Sequence, residues 1–353
     1  MAPNVENLTA VLVKAEELRL EKRAIPEPKD DEVLLKMGCV GICGSDVHYL
    51  VHGRCATFIL NAPMVIGHEG SGTVAKVGKN VKNLKPGDRV AIEPGVPCRK
   101  CEFCKTGKYN CCPNIFFCAT PPDDGNLCQY YTHAADFCFK LPDNMSLEEG
   151  AMMEPLAVGV HACNQGEVKF GDNVLITGCG PIGLVSLLAA KAMGAVKVIM
   201  TDITPHRMDV ALKAGADAVI DVSKGTQDEH TEKIKSILGG DLPRVTLDCT
   251  GFESSMRLAI NSTRTGGVIV LVGMGSSEMK LPLADALTRE VVIKGVFRYR
   301  HCYPTAIQMV ASGKANVKQF ITHNYTLEQT VEAFDTARTG KGNPIKVMIH
   351  CSK

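Results

Sequence analysis

A chain of 353 residues exceeds the size at which a single hydrophobic core usually stops growing, so two domains are expected. Its 39 Lys and Arg almost cancel its 38 Asp and Glu, which removes the global positive field that nucleic acid or an anionic membrane surface would need. The opening "MAPNVENLTA" has no signal-like basic and apolar pattern, no apolar run approaches the ~20 residues of a membrane span, and most of the sixteen cysteines sit singly in apolar segments. The expectation is a cytoplasmic protein with reduced thiols and no disulfide scaffold.

In chain order, residues 1–157 read as short strands broken by turn chemistry: "DEVLLKMGCVGIC", "SGTVAKVGKNVKNLKPGDRVAIEPG" and "CQYYTHAADFCFKLPDN". Gly and Pro-Gly punctuation at such intervals predicts an all-β barrel or sandwich-like body. Within it, "GICGSDVHY" offers Cys43, Ser45 and His48, "VIGHEGSG" offers His68 and Glu69, and "MMEPLAV" adds Glu154 in an apolar setting. Singly these are ordinary core or surface residues; together they are a candidate Cys/His/Glu metal site of the open, catalytic kind.

Residues 95–113 carry the densest thiols. Cys98, Cys101, Cys104 and Cys112 give C-x2-C-x2-C-x7-C, enough thiolates to close a tetrahedral zinc with no open position. Such a site staples a loop that has no core of its own. A zinc-ribbon module contacting nucleic acid is the competing reading, but only Arg99, Lys100, Lys105 and Lys108 flank these cysteines.

From residue 158 the pattern changes to β-branched runs spaced by helix-length segments: 173–178, 196–202, 218–222, 244–250, 268–273 and 290–297. Six strands alternating with helices predict a parallel, doubly wound sheet in an α/β domain over 158–297. Directly after its first strand, Gly178, Gly180 and Gly183 form G-x-G-x-x-G at the start of an apolar helix, the context in which that motif binds a dinucleotide pyrophosphate. Asp202 ends the second strand, placed to bond the adenosine ribose hydroxyls and to repel a 2′-phosphate. NAD is therefore favoured over NADP, although Arg207 nearby is a group that tolerates phosphate. The segment 298–353 has irregular and helical texture and is expected to pack back on the first domain.

These motifs, in this order, resemble the zinc-containing medium-chain alcohol and polyol dehydrogenase family. The resemblance rests on "GICGSDVHY", "MVIGHEGSGTV", "KPGDRVAIEPGVPCRKCEFCKTGKYN", "EPLAVGVHAC", "GCGPIGL" and "KGVFRYR", and spans nearly the whole chain. It implies a GroES-like barrel carrying the catalytic site and a Rossmann-type domain inserted before the final segment. It implies that Cys43, His68 and Glu69 hold a catalytic zinc, with Glu154 a ligand or a partner of the metal-bound water, and that Ser45 and His48 relay the proton. It implies polyol contacts from Tyr49, Arg298 and Tyr299, with Phe117 and Glu154 at the pocket, and NAD contacts from Ile182, Asp202, Arg207, Val272, Gly273, Met274, Val296, Phe297 and Arg298. Cys111 stands where an apolar residue is usual, which leaves Cys112 in the ligand register. The implied reaction is reversible oxidation of polyols such as sorbitol to ketoses such as fructose, with NAD and two zinc ions per subunit in a homotetramer. Xylitol or L-threonine is the alternative substrate, and neither a nucleic acid nor a membrane is an expected partner.

Overall fold

The computed structural model describes residues 6–352, and by internal contacts the chain forms two units, Met1–Glu154 with Val317–Lys353, and Pro155–Asn316. The second unit therefore starts close to residue 158 but runs on to Asn316 instead of ending at 297. The reason is the helix Tyr303–Ala311, which packs on the helix Pro181–Ala192 within that unit.

The first unit is built on a seven-stranded, largely antiparallel sheet. Its spine is Glu32–Gly41, an apolar run buried along most of its length, which pairs with Glu69–Val77, Tyr130–Ala134 and Lys346–His350. A hairpin of Glu6–Lys14 and Glu17–Ala24 adds a second small sheet with Met64–Val65, and the enclosed core includes Leu12, Leu35, Met37, Ile92, Leu127 and Ile349. Glu32–Gly41 is buried on both faces over most of its length, whereas Glu17–Ala24 at the edge has no fully buried residue.

The chain returns to this sheet through two strands, Ile321–Thr326 and Lys346–His350, which run parallel to each other with the helix Thr330–Thr339 between them. The sequence texture of 298–353 does not announce them. "ITHNYT" alternates half-buried and exposed residues of polar type, and only "KVMIH" is buried along its length.

The second unit holds six parallel strands, Asn173–Thr177, Lys197–Asp202, Ala218–Asp221, Val245–Asp248, Val268–Leu271 and Val292–Gly295. The first in sequence lies at the centre, with the second and third on one side and the fourth, fifth and sixth on the other. This is the Rossmann strand order, whose reversal at the first strand opens a crevice at the carboxyl ends. Helices such as Pro181–Ala192, whose Leu184, Val185 and Leu187 are fully buried, cover the sheet, and the central strands Asn173–Thr177 and Val245–Asp248 are buried along most of their length, including the polar Thr177, Thr246 and Asp248. No helix among the described residues is long and apolar enough to cross a membrane.

Candidate active site

Strand register assembles the first cluster. Gly41 pairs with Glu69 across neighbouring antiparallel strands, so Cys43, just past the end of one strand, arrives beside His68 and Glu69 at the start of the other. A Cβ on Gly41 would lie 2.1 Å from Glu69 Oε2, so glycine is what leaves room for that carboxylate. The ligand atoms of Cys43, His68 and Glu69 lie within 4.8 Å of one another, and His68 and Glu69 are buried. A thiolate, an imidazole and a carboxylate brought together in this way fit a zinc ion and leave a position open.

Two further side chains complete the surroundings, and neither was among the expected site residues. Cys43 caps the helix Gly44–His52; its N–H donates to Asp46 Oδ2 at 3.0 Å, and Asp46 Oδ1 faces His68 Nδ1 at 3.3 Å. Burial opposes a charge on His68, yet Asp46 and Cys43 outweigh it and raise its pKa well above the ordinary value, which marks an electronegative pocket suited to a cation. With the Asp46 carboxylate beside Nδ1, Nε2 is the nitrogen left to donate to a metal. Lys346, from the returning strand, is only 3% exposed and its Nζ lies 2.7 Å from each carboxylate oxygen of Glu69. Asp46 could be read as the third residue of a helix capped by Cys43; for Lys346 the only signal is a lysine in the largely apolar "PIKVMIH", and nothing local ties it to Glu69.

Around this cluster, Ser45 is half-buried and His48 exposed on the same helix, which also carries the buried Tyr49. Phe117 is buried with its ring 6.0 Å from that of His68. Glu154 is buried at the start of the helix Met153–Gln165 but is not one of the residues whose ligand atoms gather within 4.8 Å. In the second unit, Arg298 has a left-handed φ of 54° and stacks its guanidinium over Phe297, while Tyr299 is buried against Tyr303.

The cysteine lobe brings Cys98, Cys101, Cys104 and Cys112 together, with sulfur atoms 3.3 Å apart for Cys101 and Cys104 and 3.9 Å for Cys98 and Cys104. Four sulfurs around one zinc at ~2.3 Å sit about 3.8 Å apart, so the set fits that ion. Backbone N–H groups of Lys100 and Cys101 draw the Cys98 thiol down to about 6, favouring the thiolate a metal requires. Cys111 is exposed and stands outside the group. Between Arg99 and Cys111 the lobe buries only Asn110, so it has no core of its own.

In the second unit the three glycines play separate parts. Gly178 turns with a φ of 91° and donates its N–H to Thr201, and a Cβ on Gly183 would lie 1.9 Å from the Gly178 carbonyl oxygen. Gly180 caps the twelve-residue helix Pro181–Ala192, and a Cβ there would meet nothing in the protein nearer than Arg207, at 4.0 Å. The space in front of Gly180 is thus open to a pyrophosphate at a helix N-terminus. Ile182 follows in the first turn of that helix, half-buried. Asp202 Oδ2 accepts the Cys179 N–H at 2.7 Å and its Oδ1 accepts those of Ile203 and Thr204, which ties the second strand end to the glycine turn. Val272 and Gly273 donate to the Asp248 carbonyl, and the exposed Met274 and half-buried Val296 follow at the same strand ends.

Known proteins resemble the chain over nearly its whole length. Residues 29–143 match the alcohol dehydrogenase GroES-like domain, and 181–312 match the zinc-binding dehydrogenase family. Sorbitol dehydrogenase of Bos taurus is 55% identical over 350 residues, covering 99% of this chain and 98% of its own, and that of Mus musculus 56% over 346 residues, covering 98% and 96%. Among solved structures, an Escherichia coli oxidoreductase/dehydrogenase of unknown specificity superposes with a TM-score of 0.94 at 37% identity, covering 99% of this chain and 100% of its own. Escherichia coli L-idonate 5-dehydrogenase gives a TM-score of 0.90 at 28% identity, covering 98% of each chain. The chain belongs to the zinc-containing medium-chain alcohol and polyol dehydrogenase family, which includes the sorbitol dehydrogenases.

Proposed function

We propose that the protein oxidises polyols such as sorbitol to the corresponding ketoses, reversibly, with NAD as hydride acceptor. The observation that carries this reading is the convergence of Cys43, His68 and Glu69 on one point of a chain that is more than half identical to sorbitol dehydrogenases. Cys43, His68 and Glu69 would hold the catalytic zinc, and Cys98, Cys101, Cys104 and Cys112 a structural one. When bound, the catalytic zinc supplies a Lewis acid that lowers the pKa of the substrate hydroxyl, and NAD accepts the hydride.

The chain's own residues do the rest. Asp46 orients His68, and Phe117 presents an apolar wall beside it. Glu154 is proposed to hold the water or hydroxyl at the reacting end of the substrate, with Ser45 and the exposed His48 taking the proton toward solvent. Tyr49, Arg298 and Tyr299 are proposed to bond neighbouring hydroxyls, which favours polyols because a simple alcohol would leave such polar groups unpaired. Gly178, Gly180, Ile182 and Gly183 would cradle the pyrophosphate. Asp202 and Arg207 would face the adenosine ribose, and Val272, Gly273, Met274, Val296, Phe297 and Arg298 the remaining cofactor surface.

A panel of sorbitol, xylitol, threonine and ethanol, each with NAD and NADP, tests the reading. Sorbitol or xylitol with NAD should give the highest kcat/KM; preference for threonine or ethanol would contradict it. A homotetramer is proposed as well, supported by the exposed apolar side chains Val292 and Ile293 on the last strand of the parallel sheet and Leu283 and Leu287 on the helix Leu283–Leu287 before it. Light scattering that gave a monomer would refute that. A cytoplasmic location is supported by buried free thiols such as Cys118, Cys128 and Cys163, and fractionation of cells would contradict it by finding the protein elsewhere.

A further inference from the structure

Lys346 is buried at the start of the returning strand Lys346–His350 and has no part in the reaction outlined above. Its ammonium spends its three N–H donors on both Glu69 oxygens, at 2.7 Å each, and on the Ile42 carbonyl at 3.1 Å. The backbone around it is pinned: its strand pairs with Glu32–Gly41, and the Ile42 N–H donates to the Val347 carbonyl at 3.0 Å. A lysine side chain is rarely buried without a partner, and here its only anionic hydrogen-bond partner among the described residues is a residue of the candidate metal cluster.

The two charged groups behind the cluster act in opposite senses. Asp46, facing His68 Nδ1, raises the basicity of the imidazole as a donor. Lys346, bonded to both oxygens of Glu69, draws electron density from the carboxylate and makes it a weaker donor. We propose that Lys346 is a positioning residue that sets the donor strength of Glu69, making it the weakest-held of the three ligands. The proposal rests on the reading of Cys43, His68 and Glu69 as the catalytic zinc ligands. A less basic Glu69 neutralises less of the metal's charge, and more is left to act on the substrate oxygen. Neutralising a buried carboxylate for stability alone would predict the reverse metal behaviour, since loss of the lysine would then loosen the site.

The test compares the zinc-loaded enzyme with its Lys346→Met, Lys346→Gln and Lys346→Arg variants. Zinc loss to excess chelator is followed in time, and kcat/KM for sorbitol is followed against pH. The expected result is that both neutral variants release the catalytic zinc more slowly, on the order of tenfold, and that the rising limb of the pH profile moves up by about one unit. The arginine variant, which keeps the charge, should stay near the wild type in both. Gln fills similar space and still donates to Glu69, so it reads the charge effect even if Met does not fold. Zinc lost as fast or faster from the neutral variants, with an unmoved pH limb, would overturn the proposal. Failure of the underlying reading shows separately, as Cys43→Ser protein that retains two zinc ions per chain.

Discussion

Glu93 shows what a single residue carries outside the ligand sets. It is 2% exposed, at the end of the strand Arg89–Ile92, and Tyr109 of the cysteine lobe donates its hydroxyl to Oε1 at 2.6 Å. Burial pushes its carboxyl up to about 8, with Glu154 and Asp136 adding to the rise and the Tyr109 bond opposing it. A raised carboxyl pKa means that the folded protein keeps a proton that the unfolded chain gives up. Stability contributed by this group is therefore lost as pH climbs from about 4.5 to about 8, and does not change further above that. Glu93→Gln, which keeps an acceptor for Tyr109, should flatten that decline and unfold at higher temperature than wild type at pH ~8. A melting-temperature series over that window checks it, and an unchanged slope would remove Glu93 from the account.

At the same scale, the sequence named Cys43, His68 and Glu69 but passed over Asp46 and Lys346. The reason is physical. Ligand types announce themselves through chemistry and spacing, whereas Lys346 reaches Glu69 only because a strand some 277 residues further along the chain pairs beside it. Glu154 was flagged by its acidic type in an apolar run, and the fold buries it at the start of the helix Met153–Gln165.

Among elements, the glycine turn offers the sharpest contrast. An alanine at 183 would drive its Cβ into the Gly178 carbonyl oxygen at 1.9 Å, so Gly183→Ala must displace the helix Pro181–Ala192 and should cost both stability and cofactor binding. Gly180 has an ordinary φ of −75° and open space in front of it, so Gly180→Ala should fold and melt like wild type. It should nevertheless lose NADH affinity by about tenfold or more in a fluorescence titration, because the methyl group occupies the approach to the pyrophosphate. Equal NADH affinity in Gly180→Ala and wild type would contradict the placement of the cofactor. The tight turn at Gly178 and the close packing at Gly183 were legible from the strand-turn-helix context of the motif. The parallel strands were legible for a related reason: strands covered on both faces read as unbroken apolar runs. The strand Ile321–Thr326 was not, because its alternation of half-buried and exposed polar residues gives no apolar run.

For the whole molecule, the change near residue 158 from Gly- and Pro-punctuated short strands to strands spaced by helices already pointed to a barrel followed by a parallel α/β sheet. The extent of the second unit to Asn316 follows from helix packing that no local pattern encodes. Metal content links both scales, since the two clusters use different residues and should load independently. The most direct test is the zinc content of wild-type and Cys43→Ser protein, measured beside sorbitol-dependent NADH formation. Two zinc ions per chain with turnover in the wild type, and about one with turnover lost in Cys43→Ser, is the predicted result. Cys43→Ser protein that kept two zinc ions and normal turnover would contradict the assignment of the catalytic centre.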